Sequence, residues 1–269
     1  MIRGALILCL VVLAGAAAAD GRMQSSCIAL AGLPQDLHLA GFGAPVAENS
    51  VRIRFLGHAS FALETAGGVV AVTDYTGSIG NPEVVPDVVT MNIAHDTHFT
   101  DTPDPAIAQV LRGWGPFGAP AAIDLDLGDL RIRNVTTDLR GPFGEGGRKD
   151  GNSIFIFEAA GLCIAHLGHL HQIPSPAQYA AIGRVDVLMV PVDGGYTLDL
   201  ASLTLVVRRL RPRIVLPMHW FDGASLIRFQ AAMAVEFQLV EVGGPEVLVS
   251  LKTLPTPPQM LILDPALIP

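Results

Sequence analysis

The sequence predicts an α/β fold in which two β-sheets face each other and helices pack on the outside. Strand patterns follow one another from Val51, and after Pro174 helical and strand patterns alternate. Sheets and amphipathic helices must each bury an apolar face, and two stacked sheets under outer helices satisfy both. The chain has 269 residues, half of them hydrophobic, and is therefore long enough to bury such a core.

Residues 1–19 have the pattern of a secretory signal peptide. Arg3 supplies a short basic start, residues 5–14 are apolar, and small alanines precede Asp20. The apolar core of about 10–12 residues is too short to span a bilayer, which needs about 20. No later segment of the sequence is long and apolar enough either. We therefore expect an exported protein, periplasmic or secreted, without a membrane span.

The acidic charge balance excludes two classes of partner. The full chain has a formal net charge of −8. Removing residues 1–19 takes away one positive charge, Arg3, and no negative one. An acidic surface repels phosphate backbones and anionic lipids, so nucleic acid and anionic membranes are poor partners. The expected partner is a small-molecule substrate.

Two cysteines, Cys27 and Cys163, remain after signal cleavage, which removes Cys9. Two cysteines in an oxidising compartment can pair, but nothing in the sequence establishes a disulfide. Cys163 lies in the middle of the strand pattern GLCIAHL, where a small buried hydrophobic residue is the favoured interpretation.

The first half of the domain is a series of strand patterns. Residues 20–50 carry no strong period and are predicted as an N-terminal leader segment. From Val51, VRIRFL and SFALET alternate, GVVAVTD is an apolar run that ends at Asp74, and DVVTMN returns to a strand. A strand or a short helix then ends at Arg112. Two hairpins follow, AAIDLDLGDLRIRNVTT and NSIFIFEAAGLCIAHL, separated by the glycine-rich stretch RGPFGEGGRKDGN.

The second half of the domain alternates between helices and strands. SPAQYAAIG, LDLASLTLVVRRL and ASLIRFQAAMAVEF are predicted as helices, and VDVLMVPV, RIVLPMH, FQLVEV and EVLVSL as strands. The Pro-rich tail, residues 255–269, cannot form a regular helix because proline lacks an amide donor and clashes with the preceding turn. The domain is therefore predicted to span residues 51–254.

Seven of the eight histidines fall near strand ends, where loops usually build functional sites. In HDTH, His95 and His98 are three residues apart, and they are either metal ligands or solvated side chains at a helix start. HLGHLH places three histidines directly after an apolar strand, which is hard to explain as core packing.

The histidines of HLGHLH have different expected roles. His166 shares a strand face with apolar residues and is predicted to be packed and hydrogen-bonded. His169 lies in the loop and is a ligand candidate, whereas His171 is a ligand, a proton shuttle or a surface residue. His219 ends the strand RIVLPMH and is a further ligand candidate, because neutral imidazole is the commonest protein ligand for zinc and similar metals.

Six segments occur in order within Val51 to Leu254: LGHASFALET, GVVAVTD, DVVTMNIAHDTH, IAHLGH, DVLMVPVDGGYT and IVLPMHW. Their order and spacing resemble the metallo-β-lactamase superfamily, in particular the branch that includes ascorbate-phosphate lactonases and N-acyl-phosphatidylethanolamine phospholipase D. The resemblance implies a four-layer αββα sandwich with a metal site at one edge of the paired sheets.

The metal motif of that superfamily, H-x-H-x-D-H, is only partly present. Laid on this sequence without a gap, its positions fall on Ile93, His95, Thr97 and His98, so the first histidine and the aspartate are missing. A further family histidine is expected near VTTDLRG, where Asp138 is the possible oxygen ligand instead. The standard site of two metal ions therefore cannot be present as such.

The remaining family positions fall on candidate residues. The metal-bridging aspartate of the family falls on His169, and its last histidine on His219. Asp74 matches a residue that orients the site, and His58 matches a residue near it. The resemblance thus leaves four histidine ligands for one metal ion: His95, His98, His169 and His219.

Zinc is the expected ion, with iron or manganese as alternatives. Asp74 is expected to hold a ligand imidazole in one tautomer, and His58 or His171 to move protons. Such a site implies an exported metal-dependent hydrolase that uses an activated water on a lactone, ester, amide or phosphodiester. The alternative is a non-catalytic metal- or ligand-binding protein on the same fold, which the missing motif residues favour.

The segment DGGYT, which begins at Asp193, has two interpretations. It is a tight turn, which its glycines favour, or a loop that lines the site and touches substrate. The sequence holds no G-x-S-x-G elbow, phosphate-binding glycine loop or Cys-x-x-Cys, so nothing in it supports a serine nucleophile, a nucleotide or redox chemistry.

Overall fold

The computed structural model describes residues 23, 25–28, 45–81, 83–141 and 147–266. The predicted signal peptide, residues 1–19, lies outside the described residues. So do most of the predicted leader segment, residues 20–50, and part of the glycine-rich stretch before Asn152. No helix in the described ranges is long and apolar enough to cross a membrane.

Fourteen strands and three α-helices make up the described part of the chain. In chain order they are β1 (Ser50–Gly57), β2 (Ser60–Thr65), β3 (Val70–Val72), β4 (Val88–Met91), β5 (Gln109–Arg112), β6 (Asp124–Asp126), β7 (Arg131–Thr137), β8 (Asn152–Ala159), β9 (Leu162–His166), α1 (Pro176–Ile182), β10 (Val187–Pro191), α2 (Leu200–Leu210), β11 (Ile214–Met218), α3 (Ala224–Met233), β12 (Gln238–Glu241), β13 (Glu246–Ser250) and β14 (Gln259–Ile262).

The strands form two sheets. The six-stranded sheet has the order β13-β1-β2-β3-β4-β5, and the eight-stranded sheet has the order β12-β14-β11-β10-β9-β8-β7-β6. Strands β3, β4 and β5 run parallel in the first sheet. Strands β9, β10, β11, β14 and β12 run parallel in the second. Parallel strands end at the same edge of a sheet, so the loops that follow them gather there.

The apolar alternation of the strands builds two layers of core. In β8, Phe155 and Phe157 lie in the cluster between the two sheets, whereas Ile154 and Ile156 lie in the cluster on the outer face of the eight-stranded sheet. All four side chains are fully buried. Burial on both faces explains why the sequence of this strand is almost continuously apolar.

The three helices all pack on the outer face of the eight-stranded sheet, where Val206 of α2 and Phe229 of α3 join its apolar cluster. Ser175 begins α1 with a capping box, and the Asp199 carboxylate caps α2. The α/β fold with two facing sheets is thus confirmed. Among the described residues, loops rather than an α-helix cover the outer face of the six-stranded sheet, and they contribute Tyr75 and Ile107 to its cluster.

Strand pairing continues beyond the predicted end of the domain. Strand β14 lies in the Pro-rich tail, residues 255–269, and pairs in parallel with β11 on one side and β12 on the other. The boundary at residue 254 is therefore too early. Proline does exclude a regular helix in the tail, but the apolar run from Met260 to Ile262 contains no proline and lies in a buried strand.

The favoured interpretation of the cysteines is also wrong. Cys27 and Cys163 form a disulfide that closes a separation of 136 residues. Next to it, the Ser25 hydroxyl donates to the Glu158 carboxylate at 2.7 Å, and the Arg184 amide donates to the Cys27 carbonyl at 3.0 Å. Part of the weakly patterned leader segment is therefore attached to the eight-stranded sheet.

Candidate metal centre

The predicted site residues follow strand ends in both sheets and come together in space. His58 lies in the turn between β1 and β2, and the others follow later strands: Asp74 after β3, His95 and His98 after β4, His169 and His171 after β9, and His219 after β11. The ring centroids of His98, His169 and His219 lie 4.9, 5.1 and 5.2 Å from one another. We call the six histidines at this edge the histidine cluster: His58, His95, His98, His169, His171 and His219.

A buried carboxylate orients His98. The Nδ1 atom of His98 lies 2.7 Å from Oδ2 of Asp74, and both side chains are fully buried. Oδ1 of Asp74 accepts the backbone amide of Asn92 at 2.9 Å. Burial raises the pKa of Asp74 to about 6, and burial together with His219 and His95 keeps the pKa of His98 well below its usual range. At neutral pH His98 is therefore a neutral imidazole whose Nδ1–H donates to a carboxylate.

A second carboxylate orients His219 in the same way. The Nδ1 atom of His219 lies 2.9 Å from Oδ2 of Asp193, and both side chains are buried. Oδ1 of Asp193 accepts the amides of Gly195, Tyr196 and Thr197 at 2.9, 2.6 and 3.0 Å. Although burial opposes ionisation, hydrogen bonds from His219, Thr197 and the loop amides hold the pKa of Asp193 below its usual range. The segment is thus a tight turn, as favoured, and its carboxylate also fixes the tautomer of His219.

The two oriented imidazoles face each other. When both rings are neutral and each Nδ1 carries its hydrogen towards a carboxylate, each Nε2 holds a lone pair, and the two Nε2 atoms lie 3.2 Å apart. Two lone pairs at this distance repel unless a proton or a metal ion lies between them. Two imidazole nitrogens bound tetrahedrally to one zinc ion, each at 2.0–2.1 Å, would lie about 3.3 Å apart. The observed separation fits two ligands of one metal ion.

His58 supplies a third nitrogen. Its ring centroid lies 4.2 Å from that of His219 and 5.3 Å from that of His98. Its Nε2 is buried and has no hydrogen-bond partner. Burial and the neighbouring His219 and His98 lower the pKa of His58 to about 3, so the ring is neutral. One ligand atom from each of the three histidines lies within 4.8 Å of the other two. Within the described ranges, these three form a group that could hold a metal ion.

Three of the seven described non-glycine residues with left-handed φ lie at this group. His58, Asp74 and His219 have φ angles of 51°, 44° and 59°, in the left-handed region that side chains with a Cβ rarely adopt. Strained backbone is kept where the surrounding structure holds it in place, often at functional sites. Here the His219 amide donates to the His58 carbonyl at 2.7 Å, which ties two of the three strained residues together.

A hydrogen-bonded chain fixes the tautomer of His169. The backbone amide of Arg140 donates to Nδ1 of His171 at 2.9 Å, so neutral His171 carries its hydrogen on Nε2. That Nε2 lies 2.7 Å from Nδ1 of His169 and donates to it. Neutral His169 therefore carries its own hydrogen on Nε2. Burial, with His98 and His219, lowers the pKa of His169 to about 2, and burial with Arg140 lowers that of His171 to about 4.

His95 lies at the exposed side of the cluster. Its ring centroid is 5.9 Å from those of His98 and His169, and its Nδ1 lies 3.1 Å from the Thr97 hydroxyl. Thr97, at the position of the missing motif aspartate, is thus a partner of His95. The position of the missing motif histidine is held by Ile93, which is buried.

Two other predicted residues have structural roles. His166 is buried, its Nε2 lies 2.8 Å from the Ala59 carbonyl, and its Nδ1 lies 3.0 Å from the Asn92 amide nitrogen. The prediction that His166 is packed and hydrogen-bonded is confirmed. Asp138 accepts the backbone amide of Asp150 at 2.9 Å and so braces the loop before β8.

Sequence reasoning missed the residues that support the cluster. Asn152 accepts the His169 amide at 2.9 Å, and Asn92 donates to the Ser153 carbonyl at 2.8 Å. Gly168 has a φ of 60°, and a Cβ at this position would collide with Asn92. The role of Asp193 had a signal in the sequence. Asp193 comes directly after a buried apolar strand run, as Asp74 does after β3. The two asparagines had none.

The chain is similar to a known family and to proteins of several organisms. Residues 52–219 match the family model described as the beta-lactamase superfamily domain. A UPF0173 metal-dependent hydrolase of Symbiobacterium thermophilum is 26% identical over 221 residues, covering 74% of this chain and 96% of the relative.

Two solved structures are similar as well. One, from Thermotoga maritima, is assigned to the Zn-dependent hydrolases of the metallo-beta-lactamase superfamily; it is 28% identical, with a TM-score of 0.57, and covers 79% of this chain and 98% of that one. Igni18, a metallo hydrolase from Ignicoccus hospitalis, is 18% identical with a TM-score of 0.52, covers 75% of this chain and 99% of that one, and shows similarity of fold.

Proposed function

Because the chain belongs to the beta-lactamase superfamily, we propose that it is a metal-dependent hydrolase whose metal ion is held by His58, His98 and His219. The observation that carries the proposal is the pair of Nε2 atoms 3.2 Å apart, each on an imidazole whose Nδ1 faces a buried carboxylate. The names of the relatives from Symbiobacterium thermophilum and Thermotoga maritima support a metal and a hydrolytic reaction.

The donor set favours one ion, and zinc in particular. Three neutral imidazoles with an open position are a known arrangement for catalytic zinc, while iron and manganese accept imidazole as well. A second ion of the usual family site would need ligands at Ile93 and Thr97, which offer an alkyl group and a hydroxyl that faces His95. His95 remains a proposed ligand or neighbour at the exposed side of the cluster.

When bound, the metal supplies Lewis-acid chemistry: it polarises a substrate oxygen and lowers the pKa of a coordinated water. The chain's own residues do the rest. Asp74 and Asp193 keep the ligand imidazoles in one tautomer and one orientation. His169, predicted from the sequence as a ligand, presents an Nε2–H and is proposed to donate a hydrogen bond to the oxygen that gains negative charge. His171 fixes that tautomer through its bond to Nδ1 of His169.

The test is a panel of generic substrates: 4-nitrophenyl acetate, a γ-lactone and bis(4-nitrophenyl) phosphate, each with the zinc-supplemented protein. We expect turnover of at least one member and a loss on the order of a hundredfold or more in His98→Ala, because one ligand nitrogen is removed. His38→Ala is the matched control, since His38 has no assigned role and lies outside the described residues. Equal rates in wild type and His98→Ala would contradict the proposal.

The second candidate is a non-catalytic metal-binding protein on the same fold. The missing motif histidine and aspartate, replaced by Ile93 and Thr97, favour it. Full metal occupancy with no turnover across the panel, and metal loss in His98→Ala, is the result that would select it. The narrower branch, ascorbate-phosphate lactonases and N-acyl-phosphatidylethanolamine phospholipase D, stays a prediction.

We also propose that the protein is exported. The signal-peptide pattern of residues 1–19 predicts export, and the disulfide between Cys27 and Cys163 supports it because disulfides form and persist in oxidising compartments. Intact-mass measurement of the protein from its native cells is the test. A mature chain that begins at Asp20 is expected, and retention of residues 1–19 would contradict export by this route.

A further inference from the structure

Two aromatic side chains beside the histidine cluster are open to solvent. Tyr196 is 69% exposed and Phe221 is 64% exposed. Among the aromatic side chains whose exposure the structure describes, these two are the exposed ones. Their ring centroids are 5.4 Å apart in an edge-to-face arrangement. Exposed aromatic rings in contact with each other usually mark a binding surface rather than a core.

The pair adjoins the proposed metal ligands. The ring centroid of Phe221 lies 5.4 Å from that of His219 and 5.7 Å from that of His58. A group that packs on Phe221 is therefore placed next to a substrate bond that the cluster would hydrolyse.

The loops that carry the pair are fixed to the cluster. The Tyr196 amide donates to Asp193 at 2.6 Å, and Asp193 in turn holds His219. The Arg140 guanidinium donates to the carbonyls of Gly195, Tyr196 and Thr197. Phe221 follows His219 by two residues. The aromatic rings thus have a defined position relative to the reacting atoms.

The arginine next to the pair holds its loop in place. Within the described ranges, Arg140 is the basic residue that hydrogen-bonds to the histidine cluster, and it does so through its backbone amide. Its Nη2 is committed to three carbonyls of the loop that bears Tyr196. Arg140 thus holds the loop that bears Tyr196, and the exposed surface beside the proposed metal ligands is aromatic.

We infer that Tyr196 and Phe221 bind an apolar substituent of the substrate, an alkyl or aryl group next to the hydrolysed bond. This inference rests on the proposed hydrolytic function. The aromatic pair contributes affinity by removing apolar surface from water, so a longer acyl chain binds better than a short one.

The test compares kcat/KM for 4-nitrophenyl acetate and 4-nitrophenyl octanoate, with the zinc-supplemented full chain. We expect the wild type to prefer octanoate by roughly tenfold to a hundredfold, and Phe221→Ala to lose most of that preference. Phe221→Leu should keep most of it, because an apolar side chain remains. Ile227→Ala is the matched control: Ile227 is also 64% exposed, lies on α3, and should leave the preference unchanged.

A second readout separates this inference from the proposed function. Binding of free octanoate and acetate is measured by calorimetry on wild type and Phe221→Ala. If no member of the substrate panel and no ester is hydrolysed but octanoate binds more tightly than acetate in wild type alone, the hydrolase proposal fails and the apolar site stands. If the two carboxylates bind equally, or if the preference survives in Phe221→Ala, the inference is overturned.

Discussion

Replacing Asp193 by asparagine changes the two hydrogen bonds that Oδ2 accepts, from Nδ1 of His219 and from the Thr197 hydroxyl, while keeping the three bonds to the loop amides. Oδ1 accepts three backbone amides, and the asparagine oxygen accepts the same three. The other carboxylate oxygen becomes an amide nitrogen, which donates instead of accepting. Nδ1 of His219 must then accept, and the imidazole hydrogen moves to Nε2, where it faces Nε2 of His98 at 3.2 Å. The metal site loses a lone pair without losing a side chain.

The expected cost falls on metal affinity rather than on folding. Partners that orient a metal ligand typically contribute tenfold to a hundredfold to affinity, which corresponds to about 1.4–2.7 kcal/mol. In the metal-free protein the three loop bonds remain, and the new Nε2–H of His219 can donate to His98. We therefore expect the free energy of unfolding of the metal-free variant to stay within about 1 kcal/mol of wild type.

Zinc affinity is measured by competition with a chromophoric chelator, and stability by urea denaturation of the metal-free protein. Asp199→Asn is the control, because it makes the same charge change at a carboxylate that caps α2 by accepting the Ser202 amide at 2.9 Å. It should leave zinc affinity unchanged. A folded Asp193→Asn variant that binds zinc within about twofold of wild type would refute the orientation argument.

Three further predictions concern stability and the loop. Burial lowers the pKa of His58 to about 3 and that of His169 to about 2, below their ordinary value of 6.5. The unfolded chain therefore binds more protons than the folded chain in acid. As a result, the free energy of unfolding should fall as the pH is lowered from about 7 to about 4. The pKa of Asp74, raised by burial to about 6, offsets part of this fall below pH 6, and urea midpoints that stay constant would contradict the prediction. Reducing the disulfide, which closes a separation of 136 residues, should lower stability by up to about 5 kcal/mol, seen as a lower melting temperature with dithiothreitol; an unchanged melting temperature would contradict it. Arg140→Met removes the guanidinium that holds the loop and should weaken zinc binding roughly threefold to tenfold. The control Arg208→Met removes an exposed hydrogen bond to Glu236 and should leave zinc binding unchanged. Equal effects of the two substitutions would contradict this prediction.

The layered fold was predictable because its strands carry local signals. Alternation and apolar runs mark strands such as β1, β8 and β10, and strand burial follows directly from these patterns. Strand β14 was missed for a physical reason. Its parallel partners β11 and β12 are not its neighbours in the sequence, because β13 and other elements lie between them and β14. No local pattern therefore predicts the pairing, and the surrounding prolines suggest an irregular tail.

The disulfide shows the same limit. Cys27 lies in a segment without periodicity, and its partner is 136 residues away. Residue spacing cannot show whether two such cysteines meet, because the answer depends on how the leader segment crosses the sheet. The contact between Ser25 and Glu158 that holds this crossing is likewise long-range.

The site was predictable as a set of residues but not as a set of roles. Histidines at strand ends are visible in the sequence, and Asp74 and His219 stand at the strand ends that suggested them. The approach of His58 to His98 and His219 depends on left-handed backbone at His58 and His219, which no sequence pattern predicts. The tautomer of His169 depends on a backbone amide of a distant loop, that of Arg140.

The most direct test of a single metal ion at His58, His98 and His219 is elemental analysis of untagged protein, residues 20–269, after metal supplementation and gel filtration. About one equivalent of zinc, iron or manganese is predicted for wild type, and almost none for His98→Ala. Two equivalents would contradict the single-ion site, and no metal in wild type would contradict the metal centre itself.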